Sequence, residues 1–460
     1  VAYKKQVVPK YSDFKIMYKI VFSVILIASA TIILAKTSHA QSDTTIVVSD
    51  PQRQVAIALP ILCVAGGSST AEVKIPKVIA RDLELSGYFK VIDPRSYLEP
   101  AGTCTPPESQ KYEDWRVLRS EWLVKGRVVG SGSSVKLQLY LHDVPGERIA
   151  FGKEYQGSVG DIPQIAHRFA NEIMRIVTGE YGPFGSEIVF SGRVGRFKDL
   201  FIMDMDGNNT RQLTNERGLA LSPRWDKNGR RLLYTSYRRR IPDLFLLDVA
   251  NRGTSPLTSG PALEVGGVFL PNGNVVTSVT EQSDSSLVEL TPSGQIVRTL
   301  TPRNRAIDVS PTLSPDGSRI AFCSDRAGGP QIYVMPVSGG ESRRISFVTS
   351  RYCTSPSWSP KGDRIAFVCR ADGGFQMFVS GADGQNPIQL TSGGDNEDPS
   401  WSPDGRYLAY ATTMGGGGVR GGFSIAMMRV VRGMEGSAIS TISTHRGDAT
   451  QPSWGPLPGQ

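Results

Sequence analysis

The sequence predicts a mainly β protein, in which a six-bladed β-propeller over residues 188–460 follows a small N-terminal α/β domain. Three observations carry this fold class. An aromatic or leucine recurs just before a proline/glycine turn at Trp225, Phe269, Leu313, Trp358, Trp401 and Trp454, in steps of 44, 44, 45, 43 and 53 residues. That period suits four short antiparallel strands with tight turns, one propeller blade. A second-strand pattern recurs in step with it, at Ile188–Phe190, Leu232–Tyr234, Asn274–Val276, Ile320–Phe322, Ile365–Phe367 and Leu408–Tyr410. Finally, the first of these strands lacks a preceding aromatic-turn unit, whereas the last unit, Pro452–Trp454, has no blade after it. The C-terminal strand is therefore expected to complete the first blade and close the ring, which leaves no open sheet edge between first and last blade.

The turns explain the blades. In Ser314-Pro-Asp-Gly317 and Ser402-Pro-Asp-Gly405 proline presets φ, aspartate bonds the backbone of its own turn, and glycine takes a positive φ without steric cost. Weaker copies stand at Ser359–Gly362, Pro271–Gly273 and Asp226–Gly229. Each joins the first strand of a blade to the second. Asp204-Met-Asp-Gly207 and Ala382-Asp-Gly384 read as turns between third and fourth strands; the former lacks the downstream glutamate of a calcium loop.

Ahead of the propeller the texture changes. Lysines at 4, 5, 10, 15 and 19 precede an apolar run from Ile20 to Leu34, and Ser38-His-Ala40 offers small residues for cleavage after Ala40. A span wants about 20 apolar residues, so a secretory leader over 1–40 is expected rather than an anchor. Its loss lowers the formal charge from +8 to +3. The basicity is then mostly a targeting device, and a nucleic-acid partner loses its main support.

Residues 41–52 form an extended stretch containing Thr44, Thr45, Ile46, Val47 and Val48, able to add to a partner's sheet or to begin its own domain. In the domain, 53–178, Val55–Pro60 reads as a buried strand, Ile75–Ser86 as an amphipathic helix, and Phe89–Ile92 as a strand after Gly87. Glu121–Val129, Val135–Leu141 and Arg148–Tyr155 read as a meander. A second helix is capped by Asp161 and carries the stripe Ile165, Phe169, Ile173, Ile176. Residues 179–187 are a short linker.

Catalysis finds little support. No Gly-x-Ser-x-Gly occurs, and the histidines after the leader, His142, His167 and His445, fall on a strand, a helix and a loop. Of five cysteines, Cys353 and Cys369 lie opposite one another across a predicted hairpin and are the disulfide candidate. A Cys63–Cys104 bridge is left open, and Cys323 is expected as a buried thiol. Their spacing matches no zinc pattern. No cofactor is required; calcium in the channel is left open. The recurring tryptophans sit within strand patterns, which suits packing better than sugar binding.

In a four-stranded blade the loops opposite the Ser-Pro-Asp-Gly turns share one face, the mouth. Here they carry Glu264, Arg303, Arg305, Asp308, Arg351, Asp395, Asn396, Glu397, Asp398 and Asp448, with Arg238–Arg240 on an outer loop and the glycine run 414–422 in the last blade. Charges of both signs around a ring mouth point to a protein partner.

The leader, the extended stretch, Ala80-Arg-Asp-Leu83 followed by Ser86-Gly-Tyr-Phe89, the helix ending in Thr178-Gly179 and the six repeats together resemble the periplasmic TolB family of the Tol-Pal system. The likeness covers essentially the whole chain after the leader. It implies a monomeric, non-enzymatic periplasmic adaptor, peripheral to membranes, that serves outer-membrane integrity and division. The lipoprotein Pal would dock over the mouth, at Leu263, Glu264, Gly266, Asp308, Val309, Arg351, Asn396, Glu397 and Asp448. TolA would take the peptide Thr44–Val48.

Overall fold

The computed structural model describes residues 54–458 apart from 66–69, 132–133, 283, 303–304, 415–421, 431–436 and 443–447. The leader, Thr44–Val48, Arg303, His445 and most of the glycine run lie outside the described residues. Among those described, no helix is long and apolar enough to cross a membrane.

The N-terminal unit is a sheet of β1 (Val55–Ala58), β2 (Cys63–Val64), β3 (Phe89–Val91), β4 (Trp122–Ser131), β5 (Ser134–Asp143) and β6 (Arg148–Ser158). Its order is β3-β1-β4-β5-β6, with β2 beside β4; β1 is parallel to both neighbours, and β4 to β6 form the antiparallel meander. Helices α1 (Ala71–Ser86) and α3 (Ile162–Thr178) pack on it, and a short α2 (Glu113–Val117) buries Trp115 against Ala58 and Leu123.

Helix α1 starts four residues earlier than expected, which puts Pro76 inside it. Proline cannot donate to the carbonyl four residues back. That carbonyl, of Glu72, instead accepts from the Leu62 N–H at 3.0 Å, so the chain before the helix repairs the missing bond. Gly87 ends α1 at φ 71°, the left-handed stop that glycine supplies. Asp161 does not cap α3 through its side chain. Its carboxylate turns back to accept from the N–H and hydroxyl of Ser158, both at 2.8 Å, and a single 3₁₀ turn leads into the helix.

Six four-stranded antiparallel sheets follow, numbered here as blades 1 to 6 in the order of their second strands. Blade 1 joins Ala449–Trp454 to Glu187–Val194, Phe197–Asp204 and Arg211–Gln212, so the last strand does close the ring. The inner strands of blades 2 to 6 are Ala220–Trp225, Leu263–Phe269, Asp308–Leu313, Cys353–Trp358 and Asn396–Trp401, and each touches the next around the ring. The Ser-Pro-Asp-Gly turns stand between first and second strands, as predicted.

The tryptophans pack between blades with their indole N–H groups satisfied: Trp225 donates to Ser453 O at 3.0 Å, Trp401 to Ser357 O at 3.0 Å, and Trp454 to Ser186 Oγ at 2.8 Å. Cys353 and Cys369 pair directly across their hairpin and form a disulfide, with Cα atoms 4.1 Å apart. A second disulfide, Cys63–Cys104, ties β2 to the loop after β3, and Cys323 is a buried thiol.

One apolar core unites the two units. Ile57, Leu83 and Phe169 belong to the same cluster as Phe190, Phe201 and Trp454 of blade 1 and Tyr407, Ile425 and Met427 of blade 6. The N-terminal domain therefore sits over the seam at which the ring closes.

Candidate functional site

Each inner strand carries one residue in the left-handed region, at the same place in the repeat: Ser222 (φ 53°), Gly266 (63°), Ser310 (56°), Ser355 (49°), Asp398 (54°) and Gln451 (54°). Each coincides with a slip in the pairing register of its strand. These are β-bulges, which re-aim a strand locally. In five blades proline follows; blade 3 has Gly266-Gly267 instead. A Cβ on Gly266 would meet nothing within 4 Å, so this ring position faces open space.

Hydrogen bonds link the bulges from blade to blade. Ser222 N–H donates to Gln451 Oε1 at 2.8 Å, and the Asp398 carboxylate accepts from the Gln451 backbone and, at 3.1 Å, from Ser355 Oγ. Four blades are thus tied together at the channel wall.

The charges of this wall are of both signs. Asp448 receives Arg193 Nε at 2.8 Å and lies 3.7 Å from Lys198 Nζ, which also donates to Thr450 Oγ1 at 3.0 Å. Burial pushes the Glu397 carboxyl up to about 8, helped by Asp398 and Asp395 and opposed by Lys198. Burial raises Asp398 as well, against the pull of Ser355, Arg224 and Lys198. The acids of this wall are thus interleaved with Lys198 and Arg224. Among the described residues no group of three or more His, Cys, Asp or Glu side chains is arranged to hold a metal ion.

The residues singled out in sequence divide by burial. Arg351 is exposed, and Leu263, Val309, Glu397 and Asp448 are half-buried at the mouth. Glu264, Asp308 and Asn396 are buried at 7%, 0% and 3% exposure, so these three are not solvated loop groups. Asp308 accepts from Arg326 Nη2 with both oxygens, at 3.0 and 3.1 Å. Asn396 bonds Gln376 Oε1 at 3.0 Å and Thr412 Oγ1 at 2.8 Å. All three stand two residues before their bulge, where neighbouring side chains cover them: Asp308 is covered by Arg326 of its own blade, and Asn396 by Gln376 of the preceding blade and Thr412 of its own.

Glu264 is covered more weakly: it accepts a long hydrogen bond from Thr258 Oγ1, at 3.4 Å, and among the described residues buried Asp243 beside it has neither carboxylate oxygen hydrogen-bonded. Burial first, then Asp243, pushes the Glu264 carboxyl up to about 7.

A second constellation joins the domains. Arg81 Nε meets Asp206 Oδ2 at 2.7 Å and Arg81 Nη2 donates to Asp206 O at 3.1 Å; next to this contact, within the N-terminal domain, His167 Nδ1 lies 2.7 Å from Asp82 Oδ2. Tyr407 OH donates to Ser86 O at 3.0 Å, Lys361 Nζ pairs with Glu180 at 2.8 Å, and the Arg429 guanidinium stands 5.0 Å over the Tyr88 ring. Arg406 donates to Tyr181 O. The Ala80–Leu83 and Ser86–Phe89 motif is therefore the interdomain contact. Sequence reading missed that role, along with Arg193, Lys198 and Arg224. The ring of bulges did leave a signal, a residue followed by proline two positions before the tryptophan.

Comparison with known proteins agrees with this architecture. Residues 174–458 match the family model of the TolB beta propeller domain, and residues 44–149 that of the TolB amino-terminal domain. The chain is 35% identical over 288 residues to the Tol-Pal system protein TolB of Anaeromyxobacter dehalogenans, covering 62% of this chain and 66% of the relative. It is 30% identical over 292 residues to a protein TolB homolog of Chlorobium luteolum, covering 63% of this chain. The matched stretch spans just under two thirds of each relative, 66% in both. The crystal structure of TolB from Acinetobacter baumannii superposes with a TM-score of 0.77 at 22% identity, covering 90% of this chain and all of the other, a likeness of fold.

Proposed function

The chain belongs to the TolB family, and from that premise we propose that it is a non-enzymatic periplasmic adaptor of the Tol-Pal system. In this reading the propeller mouth receives the lipoprotein Pal. The extended segment Thr44–Val48 engages TolA, and the chain serves outer-membrane integrity and inward movement of that membrane at division.

The observation that carries the reading is the channel mouth itself. Six bulges re-aim the inner strands at one level of the ring, and Glu397, Asp398, Asp448, Lys198, Arg224 and Arg193 gather there. Such a rim of mixed sign on a rigid, cross-linked wall suits the polar recognition of a folded partner, in which charge complementarity sets orientation and on-rate. Within it, Arg351, Leu263, Val309, Glu397 and Asp448 are the accessible contact candidates. Glu264, Asp308 and Asn396 would act by holding the blades in register. The interdomain motif supports the adaptor role, since it rests on blades 1 and 6 at the closure seam, where movement of one domain bears on the other.

The test is calorimetric titration of residues 41–460 with the soluble domain of Pal from the same organism, repeated after deletion of 41–50. Saturable one-to-one binding that the deletion alters is the expected result. No binding by either form rejects the Pal assignment.

A further inference from the structure

A groove unrelated to the channel runs along the outer rim between blades 1 and 2. Its volume is about 630 Å³, and Gln212, Thr214, Asn215, Arg238, Arg252 and Thr254 line it. One wall is the connection from blade 1 to blade 2. The other is the exposed outer strand Thr254–Pro256 of blade 2.

The acids here are already engaged. Glu216 accepts from Arg238 Nε at 2.7 Å and from Tyr234 OH at 2.8 Å, with Ser236 Oγ and Arg238 Nη2 also donating to it. Asp199 accepts from Thr214 Oγ1 at 2.8 Å and from the Glu216 N–H at 2.7 Å. The Arg238–Glu216 pair therefore adds no net charge.

Four further arginines surround it, all exposed: Arg217 beside Glu216, Arg239 and Arg240 in the loop after Arg238, and Arg252 in the lining. Among the described residues none of the four pairs with a carboxylate. Arg239 is held near the Phe245 ring, 5.9 Å from its centroid, on which Arg238 stacks at 4.3 Å. Three of the four, Arg217, Arg240 and Arg252, stand at φ between 51° and 75°, where glycine or asparagine would fit with less strain. Next to Arg240, at the tip of the same loop, Ile241 is 37% exposed.

We propose that this rim is a docking surface for an anionic membrane, its groove taking the phosphate of a lipid headgroup and Ile241 entering the interface. Guanidinium groups bind phosphate strongly, and the threonine, asparagine and glutamine side chains supply further donors. A basic loop with an apolar residue at its tip has the composition of an interfacial contact. An acidic peptide fits less well, because peptide ligands draw affinity from apolar anchors and the groove offers no open apolar pocket. Leu213, its apolar lining residue, is 5% exposed. The proposal is independent of the channel mouth and of any lipoprotein partner.

The experiment is co-sedimentation of residues 41–460 with vesicles of phosphatidylcholine alone and of phosphatidylcholine mixed with phosphatidylglycerol, at low and high salt. Binding to the mixed vesicles only, weakening as salt rises, is expected. Each arginine near an anionic surface is worth about fivefold in partition, so Arg239→Gln/Arg240→Gln and Arg217→Gln/Arg252→Gln should each lower it about 25-fold. Ile241→Asp should lower it too, whereas Lys111→Gln/Arg119→Gln on the N-terminal domain should leave it unchanged. All these side chains are exposed, and an unchanged melting temperature confirms that each variant is folded. Equal partition of the arginine variants and the parent overturns the proposal, as does equal binding to both kinds of vesicle. Displacement by soluble glycerol phosphate matched to the lipid phosphate would reassign the groove to a free phosphate ester. Displacement by a polyglutamate peptide at the same charge concentration would reassign it to an acidic protein segment. Either displacement rejects the membrane.

Discussion

Replacing Glu264 by glutamine should make the protein more stable in alkaline solution and leave it nearly unchanged in acid. The reasoning rests on the repeat, which supplies its own controls. Where blade 4 opens with Asp308, Arg326 reaches back to cover it; where blade 6 opens with Asn396, Gln376 and Thr412 bond it. Blade 3 has Glu264 at the corresponding position, two residues before its bulge and close to Asp243, and the place in the repeat held by Arg326 is held by Glu281, which adds repulsion. The carboxyl, ordinarily near 4.5, is pushed up to about 7, by burial first and Asp243 second. At about 1.4 kcal/mol per unit, keeping Glu264 ionised in the fold costs about 3 kcal/mol. The sign follows from linkage. A carboxyl whose folded value is raised binds its proton more tightly when folded, so the stability it contributes is present below about 4.5 and is lost as pH rises through about 7. Glutamine has no such loss. For a propeller of this size about 3 kcal/mol corresponds to about 6 °C in melting temperature, read by scanning calorimetry at about pH 8, the gain vanishing near pH 4.5. Asp243→Asn should shift the pH dependence the same way by a smaller amount. An equal shift at both pH values, or a loss at pH 8, would refute the argument that Glu264 is an uncompensated acid.

Three other outcomes are expected. Arg326→Met leaves Asp308 buried and unpaired and should cost about 3–5 kcal/mol, most of it restored by adding Asp308→Asn, as a double-mutant cycle in denaturant would show. Opening the Cys353–Cys369 bridge, which closes a separation of 16 residues, by serine substitution should cost about 3 kcal/mol and lower the melting temperature without altering the secondary structure seen by circular dichroism. Tyr407→Phe removes the hydrogen bond to Ser86 and should cost about 1 kcal/mol, and Arg406→Ala loosens the linker further. Both should raise the rate of proteolytic nicking within 179–187, whereas unchanged nicking would mean that the apolar core alone holds the domains together.

The sequence was most legible where structure is local. Trp401 and Ser402-Pro-Asp-Gly405 mark a strand end and a turn by residues that are neighbours in the chain, so their chemistry can be read in place. The helix of Ile165, Phe169 and Ile173 is legible for the same reason. Its entry was not, because Asp161 had two partners within reach, the helix N–H groups and Ser158, and the 3₁₀ turn selected the second. Pro76 argued against a helix start at Ala71, and the repair comes from Leu62, outside the helical pattern. At the candidate site the mouth loops were identified as a group. The burial of Asp308 and Asn396 depends on Arg326 and Gln376, which are 18 and 20 residues away in sequence.

By itself the sequence determined the number of blades, the turn between the first and second strands of blades 2 to 6 and the strand that closes the ring, because a repeated pattern of apolar residues and turn formers has few ways to bury its faces. Only the tertiary structure decided which charges are compensated. Asp308 and Glu264 hold corresponding positions, and one is ion-paired while the other is not, according to whether the side chain folded over it is Arg326 or Glu281. Tertiary structure also gave Arg81, Asp82 and Ser86 their role, since their partners Asp206, His167 and Tyr407 lie between 85 and 321 residues away. Hydrophobic periodicity is a property of a segment, whereas the energy of a buried charge is set by whatever the fold brings within a few ångströms of it.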